Sequence, residues 1–405
     1  MRLLVVASMY PHPGLPYSGI FIRNCVEAAA RLGHKMVVLA PRPYLPAFLS
    51  VHSRWAAYAK IPAFHESGGI EVYRPKLFQV PKLGTTFQRN TGTFLQMRRF
   101  ARRLHKQHHF DAVFSFDLSG AGGLAWRLGN DLGMPATGWA FGLDVRVPFE
   151  SADARELRQM LGRLDLVYYQ SSELRDCAEG YLGGQRLDPS RHIVLPHGIP
   201  AVSPPEPGTR DQMRRNLGID EQAILVLFLS RIVQGKGIDE LLTAFELAAG
   251  QQPRLACIAV GETPGFDDSQ ELRARIASRG LADRFRLLPA CKPEEVPAYQ
   301  ASADIFAFPS KSEGMPNALL EALALGTASV AFDIPPIMDI LSHGDCLLVV
   351  PSFDAVAFGN AIANLAASPR LRAQLAAQAQ EVVAAHYNID RNLGQAIGHL
   401  NSLLP

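Results

Sequence analysis

The sequence predicts an α/β protein built from two doubly wound, Rossmann-like domains in tandem, and three observations carry that expectation. Short apolar, β-branched runs alternate with longer amphipathic segments almost throughout, as in βαβ units around a parallel sheet. The alternation breaks once, between Ile199 and Thr209, where Pro200, Pro204, Pro205 and Pro207 suit neither a helix interior nor a central strand. A chain of 405 residues is long enough for two or three separate cores.

In the first half, strands are expected at Leu3–Ala7, Lys35–Ala40, Ile70–Arg74, Ala112–Phe116, Ala136–Ala140, Leu166–Tyr169 and Ile193–Leu195. Helical periodicity fills Ile20–Leu32, Arg89–His108, Gly120–Leu132 and Ser172–Tyr181. Beyond the prolines, strands are expected at Ala223–Leu229, Leu255–Val260, Phe285–Leu288, Asp304–Phe308, Ala328–Phe332 and Leu347–Val350, and past residue 353 the chain reads as helical. The domains are therefore set at 1–200 and 201–385, with 386–405 a final helix returning to the first. Tandem doubly wound domains would leave a cleft between two sets of strand C-termini, where such sheets bind ligands.

Hydrophobic residues make up 48% and charged residues 19%, ordinary for a folded globular chain. No run is long and apolar enough to span a bilayer, and Leu3–Ala7 is too short for a signal core. A cytoplasmic location is expected. The five scattered cysteines, without a C-x-x-C pair, suggest buried thiols rather than disulfides or zinc. The net charge of +2 hides a division. Residues 1–200 hold 24 Lys and Arg against 15 Asp and Glu, a balance of +9, and the remainder holds 16 against 23, a balance of −7. The first half thus suits an anionic partner.

Two segments carry the chemistry. The first runs from Ser230 to Asp239 after a strand and into a helix, and brings Arg231, Gly235, Lys236 and Gly237 to a helix N-terminus. Free backbone N–H groups, the dipole and two cations suit an anion there. It is not a Walker loop, since G-x-x-x-x-G-K-[ST] is absent. The second runs from Pro309 to Gly326, with Pro316 suiting a first helical turn and Gly326 a helix end. Amides around Asn317, Ala318 and Leu319 would face the strand ends, and Glu313 and Glu321 would offer acceptors to sugar or ribose hydroxyls. No D-x-D or H-x-H pair at these loops suggests metal ligands.

Together these segments resemble the retaining glycosyltransferases of family 4, also called group 1, which have the GT-B fold. The family's S/G-R-x-x-x-x-K-G-x-D is matched by Ser230, Arg231, Lys236, Gly237 and Asp239. Its E-x7-E is matched by Glu313 and Glu321, with Gly314, Pro316 and Asn317 between. The resemblance implies that Arg231 and Lys236 hold the donor diphosphate, that Glu313 contacts the transferred sugar and that Glu321 binds the ribose. It also implies that the amides of Met315 to Leu319 hold sugar and phosphate, and it adds Gly19, Asp144, Gly261 and Glu262 to the donor-binding set. The first domain then serves the acceptor and the second the donor. Two positions depart from the pattern: Phe141 stands where many members have a sugar-contacting histidine, and His197 stands where many have asparagine.

The same resemblance implies transfer of a sugar from a UDP- or GDP-sugar to a glycan or lipid-linked acceptor, in cell-surface polysaccharide or glycolipid synthesis. Configuration is retained by front-face attack, and no metal or other cofactor is needed, because cations on the diphosphate stabilise the leaving group. An epimerase of the same fold, or a nucleotide-sugar binding protein without turnover, are the alternatives. A dinucleotide dehydrogenase fits poorly, since no G-x-G-x-x-G follows the first strand. Finally, residues 94–109 form a basic amphipathic helix. At 100° per residue Arg98, Arg99, Arg102, Arg103 and Lys106 fall within about 140°, opposite Phe94, Met97, Phe100, Ala101 and Leu104. This suggests peripheral contact with an anionic membrane. No nucleic-acid partner is expected.

Overall fold

The computed structural model describes residues 1–12, 15, 18–44, 61–78, 86–146, 153–182, 186–263 and 266–404. They form two compact units, Met1–Pro200 with Ile389–Pro405, and Ala201–Asn388.

The first unit contains β1 (Arg2–Val6), β2 (Lys35–Leu39), β3 (Arg42–Pro43), β4 (Phe64–Ser67), β5 (Ile70–Tyr73), β6 (Lys76–Leu77), β7 (Ala112–Ser115), β8 (Ala136–Ala140), β9 (Leu166–Tyr169) and β10 (His192–Val194). Eight of these make one sheet in the order β10-β9-β8-β7-β1-β2-β5-β4. All pairs are parallel except the β4–β5 hairpin. Because helices cover both faces, β7, β8 and β9 are buried from end to end and read as largely apolar runs, interrupted by the buried polar residues Ser115 and Thr137. The strand period of two separates the cores. Leu4 and Val6 pack with Leu104, Leu128 and Leu164, while Leu3 and Val5 pack with Ile22, Val26, Leu393 and Ile397. The last two belong to the helix Ile389–Asn401. That helix is tied in by Tyr168 Oη donating to the Ala396 carbonyl (2.9 Å) and Asn392 Nδ2 to that of Pro196 (2.9 Å).

The second unit is wholly parallel. Its strands β11 (Ile224–Leu229), β12 (Leu255–Val260), β13 (Phe285–Leu288), β14 (Ile305–Phe308), β15 (Ala328–Phe332) and β16 (Leu348–Val350) are ordered β13-β12-β11-β14-β15-β16. In both units the first strand lies centrally and the order reverses beside it, the doubly wound arrangement.

Several local expectations are corrected. The helix predicted from Gly120 begins as a wider turn, Leu118–Gly122, because the Asp117 carboxylate accepts the amides of Gly120 and Ala121 (both 2.8 Å). The β4 hairpin strand and the helix Asp153–Arg163 were not anticipated. That helix looks too polar for a core, but Glu156 is fully buried and accepts from Arg127 (2.6 Å) and Asn90 (3.1 Å). Cys25, Cys257 and Cys346 are buried free thiols, whereas Cys177 and Cys291 are only partly covered. No helix among the described residues is long and apolar enough to cross a membrane.

The helix Thr86–His108 buries Met97, Ala101 and Leu104 against the first sheet. Two of its cations are already engaged: Arg98 (2.6 Å) and Arg102 (2.7 and 2.8 Å) both donate to Asp131 of the helix Gly123–Leu132.

Candidate functional site

In the second unit β11 and β14 are neighbours where the strand order reverses, so the loops leaving their C-terminal ends open where doubly wound sheets take ligands. Two glycines allow these loops to touch. Gly237, at φ 75, caps the helix Ile238–Gln251, and a Cβ there would lie 1.9 Å from the Pro309 carbonyl oxygen of the β14 loop. A Cβ on Gly261, after β12, would lie 1.8 Å from the Ser230 carbonyl oxygen. No side chain fits at either position. Backbone hydrogen bonds complete the contacts: Lys311 N–H donates to Gly235 (3.1 Å), and Ile232 N–H donates to Glu262 (2.8 Å).

Three loops distant in sequence therefore meet, and charge follows. Lys236 Nζ stands 2.5 Å from Glu313 Oε1, and Ser310 Oγ donates to the same oxygen at 2.6 Å. Beside them Lys311 pairs with Glu240 at 2.7 Å, while Asp239, the last residue of the first motif, is taken by Arg275 at 2.6 Å. Arg231 is exposed, and its side chain has no hydrogen-bond or ion-pair partner among the described residues. The side chain of Glu262 is exposed as well.

The helix Asn317–Ala324 begins one residue later than expected, with Pro316 as its cap. A proline cannot satisfy the first turn with a side chain, which leaves the amides of Ala318 and Leu319 as uncapped first-turn donors, whereas the Asn317 amide, expected to be free, donates to the Met315 carbonyl (3.0 Å). Met315 is buried, and the Oδ1 of Asn317 is enclosed without a protein partner among the described residues. The two motif glutamates sit in different surroundings. Glu313 is held by a cation and a hydroxyl, whereas Glu321 lies against the amide of the fully buried Gln300. Burial raises the Glu321 carboxyl to about 7, and the Gln300 hydrogen bond only partly opposes it.

Gly19 and Asp144 belong to the first unit. Gly19 caps the helix Ile20–Arg31. Both carboxylate oxygens of Asp144 are committed to backbone amides, those of Leu118 (2.9 Å), Phe141 (3.0 and 3.2 Å) and Gly142 (2.7 Å). Burial raises its carboxyl to about 6, so in this structure it closes the turn after β8. His197 is enclosed by Phe141 (5.1 Å between rings) and Trp139 (6.4 Å). Burial lowers it to about 3, which makes it a neutral packing residue. Phe141 itself is partly exposed and meets the Phe21 ring at 4.8 Å.

Sequence reasoning missed Ser310 and Gln300 as partners of the two glutamates. Ser310 lies inside the second motif segment, but nothing in the spacing gives it a task. Gln300 leaves only a faint signal, a polar side chain among apolar ones in the helix Val296–Ser302.

Residues 209–382 match the family described as glycosyl transferases group 1. A protein named as a putative teichuronic acid biosynthesis glycosyltransferase of Bacillus subtilis (strain 168) is 26% identical, the match covering 98% of this chain and 97% of that one. A D-inositol 3-phosphate glycosyltransferase of Actinosynnema mirum is 29% identical over 69% of each chain. Among solved structures, Anabaena Alr3699/HepE in complex with UDP superposes with a TM-score of 0.72 at 18% identity, over the full length of both chains. At that identity the likeness shows the fold alone, which is GT-B.

Proposed function

We propose that this chain is a group 1 glycosyltransferase, the family that residues 209–382 match, and that it moves a sugar from a nucleoside diphosphate donor, a UDP- or GDP-sugar, with retention of configuration and without a metal. The observation that carries the reading is the meeting of Lys236 and Glu313 at the switch point of the second unit, with Arg231 exposed on the loop that leaves β11. In the transfer, the bond between the anomeric carbon and the diphosphate breaks and positive charge builds on the carbon. Arg231 and Lys236 stabilise the departing diphosphate, as a metal would otherwise do. The acceptor hydroxyl attacks from the same face, and a donor phosphate oxygen receives its proton. Glu313 orients the sugar and favours its cationic state. Glu321 binds the ribose, and the amides of Met315, Ala318 and Leu319 hold sugar and phosphate, that of Asn317 being given to the Met315 carbonyl.

The acceptor in this reading is a glycan or a lipid-linked sugar, in cell-surface polysaccharide or glycolipid synthesis. The relative named for teichuronic acid biosynthesis supports that direction. We place the enzyme in the cytoplasm, with peripheral contact to an anionic membrane through residues 94–109. The deciding experiment incubates the protein with a panel of UDP-, GDP- and ADP-sugars and follows released nucleoside diphosphate. Slow release from one donor, faster with an added acceptor, is expected. An isomerised donor without release would instead make the chain an epimerase, and tight binding with neither outcome a non-catalytic binder.

A further inference from the structure

The helix Thr86–His108 contains no Asp or Glu in its 23 residues. Its inner face is spent on the sheet, and Asp131 occupies one flank by engaging Arg98 and Arg102. The outer crest is different. Taking Leu95 as reference at 100° per residue, Lys106, Arg99 and Arg103 follow within about 80° on one side. Arg99, Arg103 and Lys106 are exposed, and Leu95 stands among them 64% exposed. A second apolar group is fixed beside this crest. The Phe78 amide donates to Gln96 Oε1, and Gln96 Nε2 donates to the Phe78 carbonyl, both at 2.9 Å. Phe78 is also 64% exposed. Its ring lies 6.3 Å from that of Tyr44, itself 45% exposed, and Lys76 covers Tyr44 at 5.7 Å.

Single exposed apolar residues are ordinary, but here aromatic and aliphatic groups project from within a field of cations. A bilayer surface offers what such a face lacks, an acyl boundary for the rings and phosphates for the cations. We propose that the face formed by Tyr44, Phe78 and the outer crest of Thr86–His108 seats on an anionic bilayer. Phe78 and Leu95 enter the headgroup layer, and Arg99, Arg103 and Lys106 meet lipid phosphates. This rests on the membrane contact proposed above and changes its chemistry. Burial of specific apolar side chains is added to charge attraction, and Arg98 and Arg102 contribute less to the contact because both are tied to Asp131, whose single charge offsets one of theirs.

The test is vesicle co-sedimentation of the full chain with phosphatidylcholine alone and with equimolar phosphatidylcholine and phosphatidylglycerol. Binding only to the anionic vesicles is expected. Each cation near the surface is worth about fivefold in affinity. The triple variant Arg99→Glu, Arg103→Glu, Lys106→Glu should therefore lose binding by roughly a hundredfold or more. Phe78→Ala with Leu95→Ala should lose roughly tenfold or more while leaving the charge untouched, and it should leave Arg98→Gln with Arg102→Gln the weaker pair of changes. Release of nucleoside diphosphate in the absence of vesicles should be the same for wild type and the surface variants, which separates failure of this proposal from failure of the transferase reading and shows that the variants fold. Equal binding to both vesicle compositions, no binding at all, full binding by the Phe78 and Leu95 variant, or capture by heparin but not by vesicles would each overturn it.

Discussion

Lys236 and Glu313, 77 residues apart, share a contact of 2.5 Å, so the cation proposed for the diphosphate and the carboxylate proposed for the sugar are paired with each other. Removing Lys236 thus does two things. It deletes a charge-assisted donor, and it takes from Glu313 the cation that balances it. Lys236→Ala should lower kcat/KM by about tenfold to a hundredfold. Combined with Glu313→Gln, the loss should fall short of the product of the single losses, because the two residues are coupled. Fully independent effects in that double-mutant cycle would dissolve the pair as a functional unit.

Arg231 provides the contrast. Its exposed side chain supports nothing among the described residues, so Arg231→Ala should leave the melting temperature where it was. Donor turnover should still drop roughly tenfold or more, as expected for a lost charge-assisted hydrogen bond to phosphate. Normal turnover would remove Arg231 from the diphosphate site.

The two glutamates should separate in steady-state kinetics. Glu321→Gln should mainly raise KM, since contact with a ribose is alike in ground and transition states. Glu313→Gln should mainly lower kcat, since its charge matters as the sugar becomes cationic. Exchange of these two effects would exchange the roles.

Glu321 also makes stability depend on pH. Its carboxyl stands near 7 in the fold, raised by burial from an ordinary 4.5. A raised carboxyl costs nothing below the ordinary value, where both folded and unfolded chains hold the proton. Stability is lost as pH climbs from there through 7, by roughly 3 kcal/mol at most. Glu321→Gln, always neutral, should therefore gain on the wild type in melting temperature between about pH 5 and pH 8. A difference that stays constant across that range would show the carboxyl to be ordinary.

Activity should survive excess EDTA if Arg231 and Lys236 meet the phosphate charge alone. Loss of activity that magnesium or manganese restores would require a cation in addition to them.

How much of the fold and site was legible in the sequence depended on the range of the interactions. Strands such as Leu255–Val260 and Ala328–Phe332 fell where expected because burial on both faces demands a largely apolar run. The helix Asp153–Arg163 was hidden because its burial depends on Arg127 and Asn90, which neutralise Glu156 from far along the chain. At the site the motif spacing identified the loops, but not which partner each side chain would choose. Asp239 and Asp144 looked available in sequence. One is held by Arg275, and the other by three backbone amides. Such choices depend on side chains that are neighbours only after folding. In the same way five arginines and lysines on one helix looked equivalent until Asp131 singled out two.

The first unit is interrupted by the whole of the second, and it recovers its last helix only at Ile389–Asn401. During synthesis, residues 201–388 emerge as one continuous stretch and can complete their sheet while the first unit is still missing a wall. Until residue 401 has been made, the surface that will receive Ile389, Leu393, Ala396, Ile397 and Leu400 stays open to water. The second unit can therefore complete its fold first on the ribosome. A stop codon or proteolytic nick near residue 388 would spare it and injure the half encoded by the opposite end of the gene.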